Sequence, residues 1–459
     1  MKRFIFASAF ALTLLASADE ARANGRFPES NQIVFAKNDP DLVLVRVTFG
    51  LLVSHDRGKT FHWVCEQSIG YTGVEDPMYT VTPSGRYIGS TFQGLTLSSD
   101  GACTWGLTGT PQPYIDLAAN PNDAKDIVAL STVYKGADDA GNVHFSSSVA
   151  ESKDEGTSFA DLGPPLDDTI LGHTLDLTAS DPNRIYVTAV RYNGPTPIGL
   201  LFTSQDRGKS WKEQAITLLG TERSIFIAAV DPQDAEKVYL RTNNQPDAPG
   251  RLILREKNPQ GGDDGVFKTL FTGKGPLEGF ALSADTTKVY VGSPLDGVWS
   301  ASTADYNFVQ KSQVEVKCLA IHDDGLWACS NEKNGFVAGL SKDEGATFTT
   351  MVNFCTILGP LQCSGTSTTA TYCTDSIWAA QRDTLGCGGG PNPGTSSGDA
   401  SFADAGGGFG EPGAGATSSG SSCDCQSVIP SGGWSTASGT LACAIGAAAA
   451  LLRRSRRRR

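Results

Sequence analysis

Five times along this 459-residue chain the same eight-residue pattern returns: serine-x-aspartate-x-glycine-x-hydroxyl-aromatic. The copies begin at Ser54, Ser98, Ser152, Ser204 and Ser341, and the second carries Ala102 in place of the glycine. Such tight spacing describes a hairpin turn. The aspartates Asp56, Asp100, Asp154, Asp206 and Asp343 are placed to accept hydrogen bonds from amides just ahead, and the glycine takes a positive φ. The hydroxyl satisfies another turn group, and the closing aromatic is expected to bury itself between neighbouring sheets. Successive serines lie 44, 54, 52 and 137 residues apart. The last interval holds three units of roughly 46 residues, so the chain is read as a repeat array.

A second feature recurs ahead of each hairpin: two apolar strands joined by a short turn, as from Ile33 to Val47 and from Cys318 to Ser330. The turns include Asp39-Pro40, Asn120-Pro121, Asp181-Pro182 and Asp231-Pro232, where proline fixes φ and the Asx side chain caps. Two degenerate hairpins, from Arg251 towards Phe267 and from Gly297 towards Phe308, fill the long gap. The motif resembles the Asp-box (BNR) repeat of sialidases, sortilin-type receptors and photosystem assembly factors. Seven inner pairs plus seven outer hairpins predict an all-β, seven-bladed β-propeller of four-stranded blades over residues 24–353.

The two ends point to export. Lys2 and Arg3 followed by the apolar run Phe4 to Leu15 read as a signal peptide, residues 1–23, with cleavage after Ala21-Arg22-Ala23. Export makes the eleven cysteines legible as disulfides, with at least one left over. Cys318 and Cys329 fall opposite one another on the inner strands of the last blade. Cys65 and Cys103 lie close enough in the layout for an inter-blade bond. Residues 354–388, with four cysteines and a short helix from Asp375 to Thr384, read as a stapled cap clasping the last blade. Residues 389–422 are a Gly/Ser/Ala/Pro-rich linker.

Residues 423–459 place Cys423 ahead of an Ala/Gly/Leu stretch and a terminal arginine cluster. This order resembles the MYXO-CTERM sorting tail of myxobacterial surface proteins. It implies cleavage near Cys423 and display on the outer membrane or cell surface, or release outside a Gram-negative cell, with membrane contact through the tail alone.

The net charge of −12 repels phosphate backbones and argues against nucleic-acid partners. Gly394-Thr395-Ser396-Ser397-Gly398 matches a nucleophile elbow but sits in the linker, and no His or Cys spacing suits a metal. No catalytic residue, metal or cofactor is therefore expected. The sialidase resemblance makes a glycoside hydrolase the alternative, although the family's early Phe-Arg-Ile-Pro motif is missing. Aligning the inner strands places Asp76, His173, Arg223 and Glu278 at the channel mouth. Glu66, Tyr71, Glu75, Tyr114, Asp168 and Tyr192 lie nearby. This set suits a glycan, peptide or protein ligand bound by a monomer.

Overall fold

The computed structural model describes residues 27–388 except 73–74, 140, 193–196, 245–247 and 263. The stretches expected to be a signal peptide, a linker and a sorting tail with Cys423 lie outside the described residues. Short apolar runs punctuated by Gly and Asx turns become twenty-eight antiparallel strands among those residues. They form seven four-stranded sheets, each from one contiguous stretch and each in simple up-and-down order. The chain is a seven-bladed β-propeller. Blades one to seven span 30–64, 79–108, 114–161, 170–216, 224–272, 279–312 and 318–352.

The core lies between blades and is carried by second and third strands. Leu44, Val45 and Leu52 of blade one, Val187 and Leu200 of blade four, and Val289 and Val291 of blade six are fully buried. Up-and-down order puts the first-to-second and third-to-fourth turns on one face. The second-to-third turns and the links between blades fall on the other. Two proline turns differ from expectation. Asp39-Pro40 and Asp181-Pro182 open the second strands β2 (Asp39–Val47) and β14 (Asp181–Arg191), and the turns occupy the two residues before them. Asp39 caps inside its strand instead, accepting the Asp41 amide at 3.1 Å.

Because every blade is contiguous, no strand is shared across the seam between blades seven and one. On the inside, the Ser30 hydroxyl donates to the Val337 carbonyl at 2.5 Å. On the outside, the chain leaving β28 (Thr349–Val352) crosses to blade one. It runs parallel to β4 (His62–Val64), with Leu358 N donating to Phe61 O, Trp63 N to Gly359 O and Leu361 N to Trp63 O. The segment then reaches α2 (Thr368–Tyr372), which docks on blade two and on the short helix α1 (Glu66–Ile69), and α3 (Asp375–Thr384), whose buried Trp378 packs 5.1 Å from Trp63.

Disulfides bond Cys65 to Cys373, Cys103 to Cys363, Cys355 to Cys387 and Cys318 to Cys329. Two expectations are thereby corrected. Cys65 and Cys103 do not bond each other, and the cap clasps blades one and two rather than the last blade alone. A chain that has to close a ring from its last blade must reach the first, so its cysteines find partners there.

Candidate functional site

The Asp boxes form one face. In blade one the Asp56 carboxylate accepts from Ser54 Oγ (2.7 Å), Thr60 N (2.9 Å) and Thr60 Oγ1 (2.6 Å), while Ser54 Oγ accepts from Gly58 N (2.8 Å). Asp154, Asp206 and Asp343 repeat these contacts. Two consecutive residues take positive φ in each box, such as Arg57 and Gly58. A Cβ on Gly58 would meet Trp327 of blade seven at 2.4 Å, so glycine is required by packing as well as by φ. In the second box Gly101 and Ala102 share the two positions, and Ala102 offers its carbonyl to Thr369 Oγ1 of α2 at 2.7 Å. The closing aromatics are less uniform than expected. Phe61 and Trp105 are buried, whereas Phe159, Trp211 and Phe348 are half-buried, because only blades one and two lie beneath the cap.

The opposite face holds the residues proposed from sequence, and they do not converge. Tyr71 and Tyr114 are buried among neighbouring strands, and burial first of all pushes both phenols up. Glu75 is buried and accepts from Phe92 N (2.8 Å) and Gln93 Nε2 (3.0 Å). Asp76 is half-buried, and its backbone carbonyl accepts from Arg46 Nη1 at 2.8 Å. Arg223 is exposed. His173 stands on β13 (Ile170–Thr178) with its ring edge-on to Phe226 at 5.2 Å. Its Nε2 is buried, and desolvation lowers the imidazole to about 4. Glu278 is half-buried, and burial raises it despite Lys317 3.4 Å away. Lys317 also holds Glu29 at 3.1 Å, so two carboxylates flank one ammonium at the channel mouth.

The channel wall itself contains groups the sequence reading passed over. Asp116 on β9 (Tyr114–Ala119) accepts the Leu175 amide of the next blade at 2.8 Å, and Asp176 on β13 accepts Val230 N at 3.3 Å. Burial raises Asp116 to about 7 and Asp176 to about 6. Gln32 makes the equivalent bridge to Tyr79 N in blade two. These side chains bond the inner strands to one another. A carboxylate alternating with leucines in an inner strand was the available signal.

The largest departure on this face is a raised hairpin in blade three. Strand β10 (Ile127–Ala137) pairs with β9 only as far as Ser131, but with β11 (Val143–Ser152) out to Ala137. Residues 132–137 and 143–147 therefore stand beyond the innermost strand. They present Tyr134 against Phe145 (5.9 Å) and Phe145 against Tyr192 (6.2 Å), with Tyr134 and Tyr192 45% and 37% exposed. Beside them His144 Nδ1 lies 2.9 Å from Asp168, and its Nε2 3.7 Å from Asp138. The hydrogen bond to Asp168 raises His144 above its ordinary value.

On the Asp-box face, His322, Asp323 and Asp324 bring donor atoms within 4.8 Å, the closest approach to a metal-ligand set among the described residues. The set serves the turn. His322 stacks on Phe35 at 4.4 Å, and Trp327 Nε1 donates to Asp324 at 2.9 Å.

Residues 201–214 match the family model of the BNR-Asp box repeat. No curated protein matches the chain. Among solved structures it is similar to the β-propeller domain of Myceliophteria thermophila Cps50 (Swd1), at 12% identity and TM-score 0.44 over 66% of this chain and 93% of that one. It is also similar to Saccharomyces cerevisiae Sqt1, at 14% identity and TM-score 0.46 over 75% and 92% of the two chains. The Niastella koreensis GH74 enzyme is similar at 14% identity and TM-score 0.31, over 70% and 65%. Among the described residues no helix is long and apolar enough to cross a membrane.

Proposed function

We propose that this propeller is a non-enzymatic binding module, exported and displayed on the cell surface, that takes a glycan or peptide on the face opposite its Asp boxes. The aromatic row of Tyr134 and the half-buried Phe145 on the raised hairpin, continued by Tyr192 of blade four, carries this reading, with both tyrosines exposed. Tilted aromatic rings whose edges and faces stand partly in water leave apolar surface uncovered. They gain when a sugar ring or apolar side chain covers them. Asp138, His144 and Asp168 alongside supply polar groups that would fix orientation. The carboxylates at the channel mouth suit hydrolysis less well, because Glu29 and Glu278 are both drawn onto Lys317.

The test is a screen of the full chain on glycan and cell-envelope arrays, with Tyr134→Ala and Tyr192→Ala as comparisons. A ligand retained by the native chain and lost by both variants is expected. Hydrolysis of a glycoside substrate that disappears in Glu278→Gln would overturn the reading in favour of a glycosidase.

A further inference from the structure

Blade five has lost its Asp box, and the register shows what replaced it. In five blades the box serine lies opposite a fixed residue of the second strand: Ser54 opposite Val43, Ser98 opposite Tyr87, Ser152 opposite Ile127, Ser204 opposite Ile185 and Ser341 opposite Leu326. The corresponding residue of blade five, opposite Val238, is Arg255 on β19 (Arg251–Lys257). A small hydroxyl has become a guanidinium that is only 2% exposed. Glycine makes room for it, since a Cβ on Gly265 would fall 2.1 Å from Arg255 Nε.

The guanidinium turns towards blade four. Arg255 Nη1 donates to the Glu236 carbonyl at 2.9 Å and to the Glu236 carboxylate, and it lies beneath the Tyr186 hydroxyl. Arg184, 9% exposed, reaches the same carboxylate at 2.7 Å. Two buried guanidiniums thus share one carboxylate, with Asp181 a further 3.5 Å contact of Arg184. Arg255 Nε is buried with no acceptor. Lys257 on the rim has no ion-pair partner among the described residues, whereas Lys212 is matched by Asp264 at 2.8 Å. Arg184, Gln205, Glu236, Arg255, Lys257 and Asn258, with Gly262 and the Lys212-paired Asp264 at the edge, line a cavity of about 220 Å³. That is space for about seven waters. Arg184, Arg255 and Lys257 against Glu236 and Asp264 leave the lining with one surplus positive charge, and the buried Arg255 Nε is left without an acceptor, a cost that an anion would relieve, in a chain of net charge −12.

We propose that this cavity between blades four and five, on the Asp-box face, binds a small oxyanion, a sulfate or phosphate group either free or carried on a sugar. Arg255 and Arg184 supply planar donors from the floor and Lys257 a point charge at the mouth, the arrangement that suits an anionic oxygen cluster. This site lies on the opposite face from the aromatic hairpin and stands or falls without it.

The experiment follows thermal unfolding of the full chain in low-millimolar sodium sulfate or sodium phosphate, against sodium chloride of equal ionic strength. A saturable rise of about 1–3 °C is expected. Arg255→Ser restores the residue found at this register in five other blades, and should abolish the rise while folding normally. Lys257→Gln, an exposed change, should weaken anion affinity several-fold and keeps the test alive if Arg255→Ser misfolds. A sulfated disaccharide saturating at lower concentration than inorganic sulfate identifies a carried group, and equal midpoints identify the free ion. A rise that is unsaturable, or equally large in Arg255→Ser and Lys257→Gln, is a general salt effect and overturns the proposal, as does no rise at all.

Discussion

The seam disulfides should hold a large and non-additive share of this propeller's stability. Cys65–Cys373 closes 308 residues and Cys103–Cys363 closes 260, the second nested inside the first. In the chain-entropy description a lone cross-link over such a loop restricts the unfolded chain by about 5–6 kcal/mol. With one bond in place, the other closes only a short circuit. It consists of the 38 residues separating Cys65 from Cys103 and the 10 separating Cys363 from Cys373. An effective loop of about 48 residues corresponds to about 4 kcal/mol. Replacing either pair with serines should therefore cost about 4 kcal/mol, and replacing both about 10, more than the sum of the singles. The larger figure is comparable to a typical domain's whole stability, so the chain lacking both pairs should be largely unfolded without denaturant. Urea titration followed by tryptophan fluorescence reads this directly, because Trp63 and Trp378 pack at the seam. Losses under about 1 kcal/mol for each single pair, or a double loss no greater than their sum, would refute the loop argument. The clasp would then be local decoration, and closure would rest on blade packing alone.

Further outcomes follow from individual side chains. Asp56→Ala removes the acceptor of Thr60 N at an exposed turn and should cost about 1 kcal/mol by urea titration, with surface binding unchanged. The Asp116 carboxyl is raised to about 7, so its contribution is present below the unfolded value near 4 and lost as pH climbs towards 7. Asp116→Asn should therefore gain melting temperature over the native chain progressively from pH 4 to 7, and a constant difference across that window would contradict the burial argument. His173, lowered to about 4, acts oppositely, and its contribution is lost as pH falls from 6.5 to 4. A His173→Phe variant should show a flatter melting temperature across that range. Tyr134→Ala and Tyr192→Ala should leave stability within about 0.5 kcal/mol while ligand retention falls.

What the sequence made legible is what it encodes locally. The hydrogen bonds made by the serine and aspartate side chains of an Asp box lie within eight residues, so five copies specify five hairpins and their spacing specifies the ring. The cap was legible as cysteines and one helix, but not as a clasp on blades one and two. Cys65 and Cys103 find their partners across the seam, and no periodicity records a contact made by ring closure. The candidate site fared similarly. Tyr71 and Tyr114 look like loop residues in a linear alignment, yet neighbouring blades cover them. Tyr192 was placed near the mouth, whereas Tyr134 and Phe145 were missed because the extension of β10 and β11 past β9 is a matter of pairing, not pattern. Arg255 was invisible for a related reason: only the register of β19 on β18 (Val238–Asn243) aligns it with the box serines.

The aspartates show how one residue type serves two roles in the same ring. In the boxes, Asp154 and Asp343 sit at exposed hairpins, where a serine or threonine hydroxyl and amide hold the carboxylate and lower its titration, to about 2 for Asp343. In the channel wall, Asp116 and Asp176 also accept backbone amides, but desolvation outweighs those bonds and their titrations rise. The difference lies in access to water, since both classes accept backbone amides of comparable geometry. It follows that the box aspartates weaken the fold only in strong acid, below the unfolded value near 4. The wall aspartates oppose the fold only as pH rises from there towards neutrality. Among the aspartates, the strong-acid response thus lies at the outer hairpins and the neutral-pH response in the innermost strands. On mild acidification the wall therefore gains from Asp116 and Asp176 while His173 on the same inner strands gives stability back, so its net response between about pH 4 and 6 is the difference of the two.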